Sequence, residues 1–428
     1  MPSDILGSLR ALVCDSKTAP APRVDYGRMT DFSTMPDWVS YQSMQNAFQR
    51  DKIFADYYFL PRSGRMEAEI DTPQGRKLLF SGYNYLGLAN DPRVVEATQR
   101  AVQIYGSHAG AARMVGGEID AHRELEQELA EFTGHEDAVV CVSGYGANVS
   151  VLAYLLGKKD LLVHDNLMHN SGIAGGVQSG ARRMAFPHND YDTLERILAE
   201  HRDHADRVII LVEGSYSMDG DIADLPRLLE IKRRWGCWLM VDEAHSIGTL
   251  GETGRGLAEH WSLASSGIDI VMGTLSKSFS SCGGFICGGK PMIALLRTYA
   301  PGLLLYSTGI SPANTAAALA ALRVLKAEPE RVARLQENSR MFCVEARDRG
   351  MDIGDAAGLA PIVPVIIGHD MKGLRVASRL FEQGVLAHPI LYPVVPRDSS
   401  RIRFFITAMH EPAQIHHTLD LLQKELAD

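Results

Sequence analysis

Five short apolar runs constrain this chain more than any other feature. AVVCV (138–142), LLVHD (161–165), VIILVEG (208–214), CWLMVDEA (237–244) and DIVMGTLS (269–276) are nearly continuous in apolar residues. A strand buried on one face alternates apolar with polar, whereas a strand buried on both faces does not. Amphipathic helical patterns lie between the runs, among them YDTLERILAEHR and LPRLLEIKRRWG. This alternation predicts an α/β fold with a mostly parallel central sheet covered by helices. FICGG, after residue 284, is a candidate further strand.

The pattern changes beyond Pro312, where a long helix pair is expected. PIVPVIIG, a helix around MKGLRVASRLFEQG, then LAHPILYP, RIRFFITA and a last helix read as a smaller C-terminal α/β domain. The expected division is an N-terminal arm at residues 1–75, a large domain at 76–320 and a small domain at 321–428, each of ordinary domain size or less. Within the arm, Ala19, Pro20, Ala21 and Pro22 predict an extended linker, because proline lacks a backbone donor and disfavours helix before it. DWVSYQSMQNAFQR leaves two readings open, a loose leader or a helix packed across a partner subunit. From residue 76, RKLLFSGYNYLGLA reads as a hairpin-like segment leading to a helix near Pro92.

Composition narrows the function classes. The 428 residues carry a formal net charge of -9, which argues against nucleic acid as a partner, since phosphate backbones attract clustered Lys and Arg. Cys14, Cys141, Cys237, Cys282, Cys287 and Cys343 form no CxxC pair, so free thiols in a reducing compartment are expected, with no disulfide and no zinc site. The first residues lack the apolar core of a signal peptide, and no window reaches the ~18 apolar residues of a spanning helix. The expectation is a cytoplasmic protein without a membrane span.

Ligands of an open parallel sheet bind beyond the carboxyl ends of its strands. Every predicted strand here delivers polar groups at that place. The first is followed by Ser143, Gly144, Tyr145 and Gly146; the second ends in His164 and Asp165, with His169 close behind. Glu213, Ser215, Ser217 and Asp219 follow the third; Asp242, Glu243 and His245 the fourth; Thr274, Ser276 and Lys277 the fifth. A lysine after a strand is usually solvated. Lys277 has no charged neighbour in GTLSKSFSSCGGF, and a lysine in a dry site can act as nucleophile or base. Asp242 reads either as a helix cap or as the partner of a protonated pyridine nitrogen. The glycines of SGYGAN suit a phosphate at a helix start, a weak signal alone.

YNYLGLA, SGYGAN, HDNLMHNSGIAGG, EGSYSMDGDIADL, VDEAHSIGTLGETGRG, GTLSKSF, YSTGISPA and RIRFFITAMHEP, in this order, resemble the α-oxoamine synthase family from about residue 50 to the end. These are class II pyridoxal-phosphate-dependent acyltransferases. The resemblance implies the fold type I, aspartate-aminotransferase-like architecture and a homodimer with shared active sites. It implies pyridoxal 5'-phosphate carried on Lys277, with His169 stacked on the ring, Asp242 at its nitrogen, and His245 and Ser217 near its phenolic oxygen. Gly144, Tyr145 and Thr274 would hold the phosphate, with Ser307 and Thr308 reaching it from the other subunit. Asn84 and Arg403 would hold the amino acid's carboxylate. The implied reaction joins an amino acid to an acyl thioester, on coenzyme A or an acyl carrier protein, with loss of CO2 and thiol to give an α-amino ketone. An aminotransferase or aldolase on the same fold, a non-catalytic partner subunit, and a scaffold acting through the arm are the alternatives.

The sequence departs from several relatives at YGSHAGAARMVGG, where Ala112 replaces a threonine. The smaller side chain predicts room for a methyl or hydroxymethyl group, hence alanine or serine over glycine. FSGYNYLGLA resembles the serine palmitoyltransferase branch more than the biotin branch. YAPGLLLYS reads either as an acyl-chain channel or as ordinary helix packing.

Overall fold

Alternation inside each apolar run decides how the central sheet is buried. The computed structural model describes residues 26–50 and 58–427, in two compact units that divide between Phe59 and Leu60. Ala19, Pro20, Ala21 and Pro22 lie outside the described residues. In the first unit, Asp31 caps a short turn by accepting from Ser33 N at 2.9 Å, and a helix follows at Pro36–Arg50. Trp38, Val39, Tyr41 and Met44 on that helix are exposed.

The second unit opens with an antiparallel hairpin, β1 (Glu69–Thr72) and β2 (Gly75–Leu79). Its turn therefore precedes residue 76, and RKLL is the returning strand. The helix expected near Pro92 runs over Pro92–Tyr105, capped by Asp91, which accepts from Arg93 N at 3.1 Å.

Seven strands make the central sheet: β3 (Asp137–Cys141), β4 (Leu161–Asp165), β5 (Arg182–Phe186), β6 (Val208–Glu213), β7 (Trp238–Asp242), β8 (Ile270–Thr274) and β9 (Gly284–Gly288). Their order is β3-β9-β8-β7-β6-β4-β5. β9, the candidate further strand, runs antiparallel to both neighbours; the others are parallel. Successive residues point to opposite faces. Ile210, Val212, Leu239 and Val241 enter one apolar cluster, while Ile209, Leu211 and Met240 enter the other. β5 escapes the apolar-run pattern because RRMAF opens on two arginines: it is an edge strand, with Phe186 buried, Met184 half-buried and the other three residues exposed.

Helices Pro312–Ala327 and Glu330–Asp348 form the expected pair. Four further strands follow: β10 (Ile362–Gly368), β11 (Val385–Leu386), β12 (His388–Ile390) and β13 (Ser400–Phe405). β13 lies between β10 and β12, and β11 adds to the β1–β2 hairpin beside β2. Leu303 and Leu304 of YAPGLLLYS are buried in the core, so these two side chains line no acyl channel; the packing reading holds for them.

One charged clasp ties the loops after β4, β5 and β6. His188 faces Asp165 through Nδ1 at 3.1 Å and Asp221 through Nε2 at 2.8 Å. Tyr216 OH also donates to Asp165, at 3.1 Å. Burial alone would lower the imidazole's pKa, but the two carboxylates outweigh it and raise it to about 10. A histidine raised above its unfolded value near 6.5 adds stability that is complete below that value and lost as pH rises through about 10. His188→Gln is therefore expected to cost roughly 3 kcal/mol in urea unfolding near neutral pH, because it takes away the cation that faces both carboxylates. The deficit should narrow as pH rises through about 10, and one that stays constant to pH 10.5 would contradict the clasp.

Candidate active site

The carboxyl ends of β3, β4, β6, β7 and β8 open onto a cavity of about 420 Å³, and the amino end of β9 meets it from the opposite direction. That volume suits a small cofactor with a substrate. Gly144, Tyr145, His169, Ser217, Asp242, His245, Thr274, Lys277 and Arg403 all line it. The sequence scatters these residues over 260 positions; the parallel strands bring all but Arg403 to one edge, and Arg403 comes from β13 in a separate sheet.

Asp242, the last residue of β7, is buried, and its charge is met by two donors. Ala244 N donates to Oδ1 at 3.0 Å, and Asn148 Nδ2 donates to Oδ2 at 2.8 Å. Lys277 follows β8 and places Nζ 5.5 Å from the centre of the Tyr83 ring. Burial lowers the pKa of this amine, against the pull of Asp242 and Glu213.

His169 caps the helix Asn170–Ser179. Its own N–H donates to Glu213 Oε1 at 2.7 Å, and Ser217 N donates to Glu213 Oε2 at 3.0 Å. Glu213 thereby joins the loops that carry two lining residues. Burial and the charge of Asp242 raise its carboxyl to about 8, although both N–H donors favour the charged form. Burial lowers His169, with Asp242 opposing. His245 is buried and held well below its usual pKa by desolvation; Tyr85 OH lies 2.9 Å from its Nδ1.

A second end of the cavity is built from glycine and hydroxyls. The helix Gly144–Leu155 begins there, capped by Ser143 Oγ, which accepts from Gly146 N at 3.2 Å. Its first backbone hydrogen bond runs from Ala147 N to Ser143 O, so the N–H groups of Gly144 and Tyr145 precede the helical ladder. A Cβ on Gly144 would stand 3.0 Å from Thr274 Oγ1, and one on Gly284 would stand 2.6 Å from Gly144 Cα. Only glycine permits this approach. Thr274 Oγ1 and Ser276 Oγ lie 2.7 Å apart beside it. A helix start with hydroxyls at hand suits a phosphate.

Arg403, on β13, donates through NH1 to Ser217 O at 2.8 Å, while its Nε is buried without a protein partner. Asn148 Oδ1 is likewise buried and unpartnered. Orphaned polar atoms on cavity-lining residues are what a site shaped for a polar ligand leaves in its protein. An amine, a fixed carboxylate, an imidazole and an anion cradle fit pyridoxal 5'-phosphate.

Four expected site residues stand apart from the lining. Asn84 donates to Met66 O at 3.1 Å and accepts from Ala89 N and Ser280 Oγ, each at 3.1 Å, so its amide is engaged within the fold. Ala112 and Thr308 pair through an isolated bridge, with Ser307 adjacent. Tyr83, Asn148, Ser171, Met218 and Cys282 line the cavity unforeseen. Asn148 and Ser171 lie inside quoted motifs, one helical turn from Gly144 and two residues from His169, but nothing in the sequence shows that they meet.

Residues 76–422 match the family Aminotransferase class I and II. An 8-amino-7-oxononanoate synthase of Petrotoga mobilis is 40% identical over 352 residues, 82% of this chain and 88% of that protein. One from Symbiobacterium thermophilum is 39% identical over 364 residues, 83% of this chain and 92% of that protein. Among solved structures, the serine palmitoyltransferase of Sphingomonas wittichii matches 92% of this chain and 98% of its own, with a TM-score of 0.87 and 28% identity. The 8-amino-7-oxononanoate synthase of Francisella tularensis matches 81% and 97%, with a TM-score of 0.71 and 26% identity. With this agreement along nearly its whole folded length, the chain belongs to the class I and II aminotransferase family and, within it, to the α-oxoamine synthases.

Proposed function

We propose that this α-oxoamine synthase joins alanine or serine to an acyl thioester, with pyridoxal 5'-phosphate carried on Lys277. The general reaction is the family's: a pyridoxal-phosphate-dependent decarboxylative condensation that yields an α-amino ketone, CO2 and free thiol. Relatives named 8-amino-7-oxononanoate synthase and serine palmitoyltransferases solved with PLP support it. The observation that carries the reading is the meeting of Lys277, Asp242, His169 and the glycine cradle in one cavity.

When bound, pyridoxal 5'-phosphate supplies an electron-accepting ring that stabilises negative charge at the amino acid's α-carbon. The protein's part is to bind, orient and move protons. Asp242, fixed by its two donors, would face the ring nitrogen and favour its protonated form. The N–H groups of Gly144 and Tyr145, with Thr274, hold the phosphate. Ser217 and His245, both on the cavity wall, would be available to the ring's phenolic oxygen. Arg403 offers its unpartnered Nε to the substrate carboxylate, a geometry that guanidinium satisfies bidentately. Freed when the substrate's amine takes its place, the Lys277 amine, its pKa lowered by burial, would take the α-proton and later return it. His169 donates a proton to the developing oxyanion of the thioester. Asn84 acts on the carboxylate through the loop it braces.

The assembly we propose is a homodimer in the cytoplasm, with Ser307, Thr308 and Ala112 facing the partner's cavity. Their exclusion from the lining of their own chain's cavity and the exposure of the neighbouring Tyr306 support this. No helix among the described residues is long and apolar enough to cross a membrane. The acyl group arrives on coenzyme A or a carrier protein.

Two measurements test the reading. In deuterated buffer, alanine or serine should exchange its α-proton faster than glycine; exchange by glycine alone would contradict the role given to Ala112. Arg403→Ala should raise the amino acid KM about a hundredfold, roughly 3 kcal/mol for a charge-assisted pair, while the cofactor absorbance persists. An unchanged KM would remove Arg403 from carboxylate binding.

A further inference from the structure

We infer that Asn148 and Ser171 are positioning residues that fix the proton of His169 on Nε2 and couple that choice to Asp242. Asn148 lies one turn into the helix Gly144–Leu155 and is fully buried. Its Nδ2 donates to both Asp242 Oδ2 and Ser171 Oγ, each at 2.8 Å. Both amide protons are thereby committed. The amide's orientation follows from its neighbours, because turning it over would point carbonyl lone pairs at a carboxylate.

Direction then passes along the chain of bonds. Ser171 Oγ accepts from Asn148, so its own proton is free for His169 Nδ1 at 2.7 Å. Ser171 N also donates to Nδ1, at 3.3 Å. Two donors converge on Nδ1, which must act as an acceptor. The neutral imidazole carries its hydrogen on Nε2. The backbone of His169 is held separately by Glu213, which anchors the loop that carries the ring. The carboxylate proposed for the ring nitrogen and the imidazole proposed for the ring face are thus set by one amide. Asp242 fixes Asn148, Asn148 fixes Ser171, and Ser171 selects the tautomer.

The catalytic consequence rests on the reading of His169 as a proton donor, whereas the tautomer itself does not. It is read in the full-length protein, with and without added pyridoxal 5'-phosphate, from the ring nitrogen shifts of 15N-histidine-labelled protein. His169→Gln identifies the signals by removing them. Wild type should show a single neutral form protonated at Nε2. Ser171→Ala, which leaves on Nδ1 only the long 3.3 Å backbone contact, should give a mixture of both forms and a roughly tenfold lower kcat with little change in amino acid KM. Ser171→Thr, which keeps the hydroxyl, should restore both. Asn148→Ala should disturb the tautomer as Ser171→Ala does. Nδ1-protonated His169 in wild type overturns the inference, and this needs no variant to fold. Unchanged ring shifts in a folded Ser171→Ala also overturn it. A correct tautomer with no effect of Ser171→Ala on kcat would leave the positioning intact and remove His169 from proton donation.

Discussion

A carboxylate at the buried end of a central strand is the constraint around which this protein is organised. Removing a charged carboxylate from water costs several kcal/mol unless donors replace the water. Asp242 receives two, from Ala244 N and Asn148 Nδ2. Neither is a cation, so the carboxylate stays available for a positively charged ligand atom in the cavity. The nearby amine of Lys277 is pulled the other way: burial favours its neutral form. Burial thus acts on both groups, met at Asp242 by hydrogen-bond donors and at Lys277 by a lowered pKa.

The sheet makes this arrangement possible. Parallel strands bring their carboxyl ends to one edge, so side chains distant in sequence meet without long loops. β9 supplies what the parallel strands cannot. Running antiparallel between β3 and β8, it brings Gly284 against Gly144 at the start of a helix. The absent side chains leave backbone N–H groups exposed to an anion. The clasp of Asp165, His188 and Asp221 stabilises the opposite side of the site, tying the loops that carry His169 and Ser217.

Much of this was legible in the residues because burial writes itself into composition. The five apolar runs became β3, β4, β6, β7 and β8, and most of the polar residues after them line one cavity, while His164, Asp165, Ser215, Asp219 and Glu243 stand outside its lining. β5 escaped because an edge strand has one exposed face and RRMAF carries two arginines. Leu303 and Leu304 look alike whether they line a channel or fill a core; only packing decides, and it places them in the core. Asn84 reads as a substrate ligand by its place in YNYLGLA, yet its hydrogen bonds lie with Met66, Ala89, Ser280 and the sulfur of Met409, contacts that span up to 325 residues. Asn148 and Ser171 stayed hidden for the same reason: each meets its partner only after strands far apart in the chain have assembled.

The most direct test is chemical trapping at one amine. Purified full-length protein is reconstituted with pyridoxal 5'-phosphate, reduced with borohydride, digested and sequenced by mass spectrometry. The account predicts one pyridoxyl-phosphate adduct, on the peptide containing Lys277, with the visible absorbance lost in step. An adduct on another lysine, or none with the absorbance absent from the start, would contradict it.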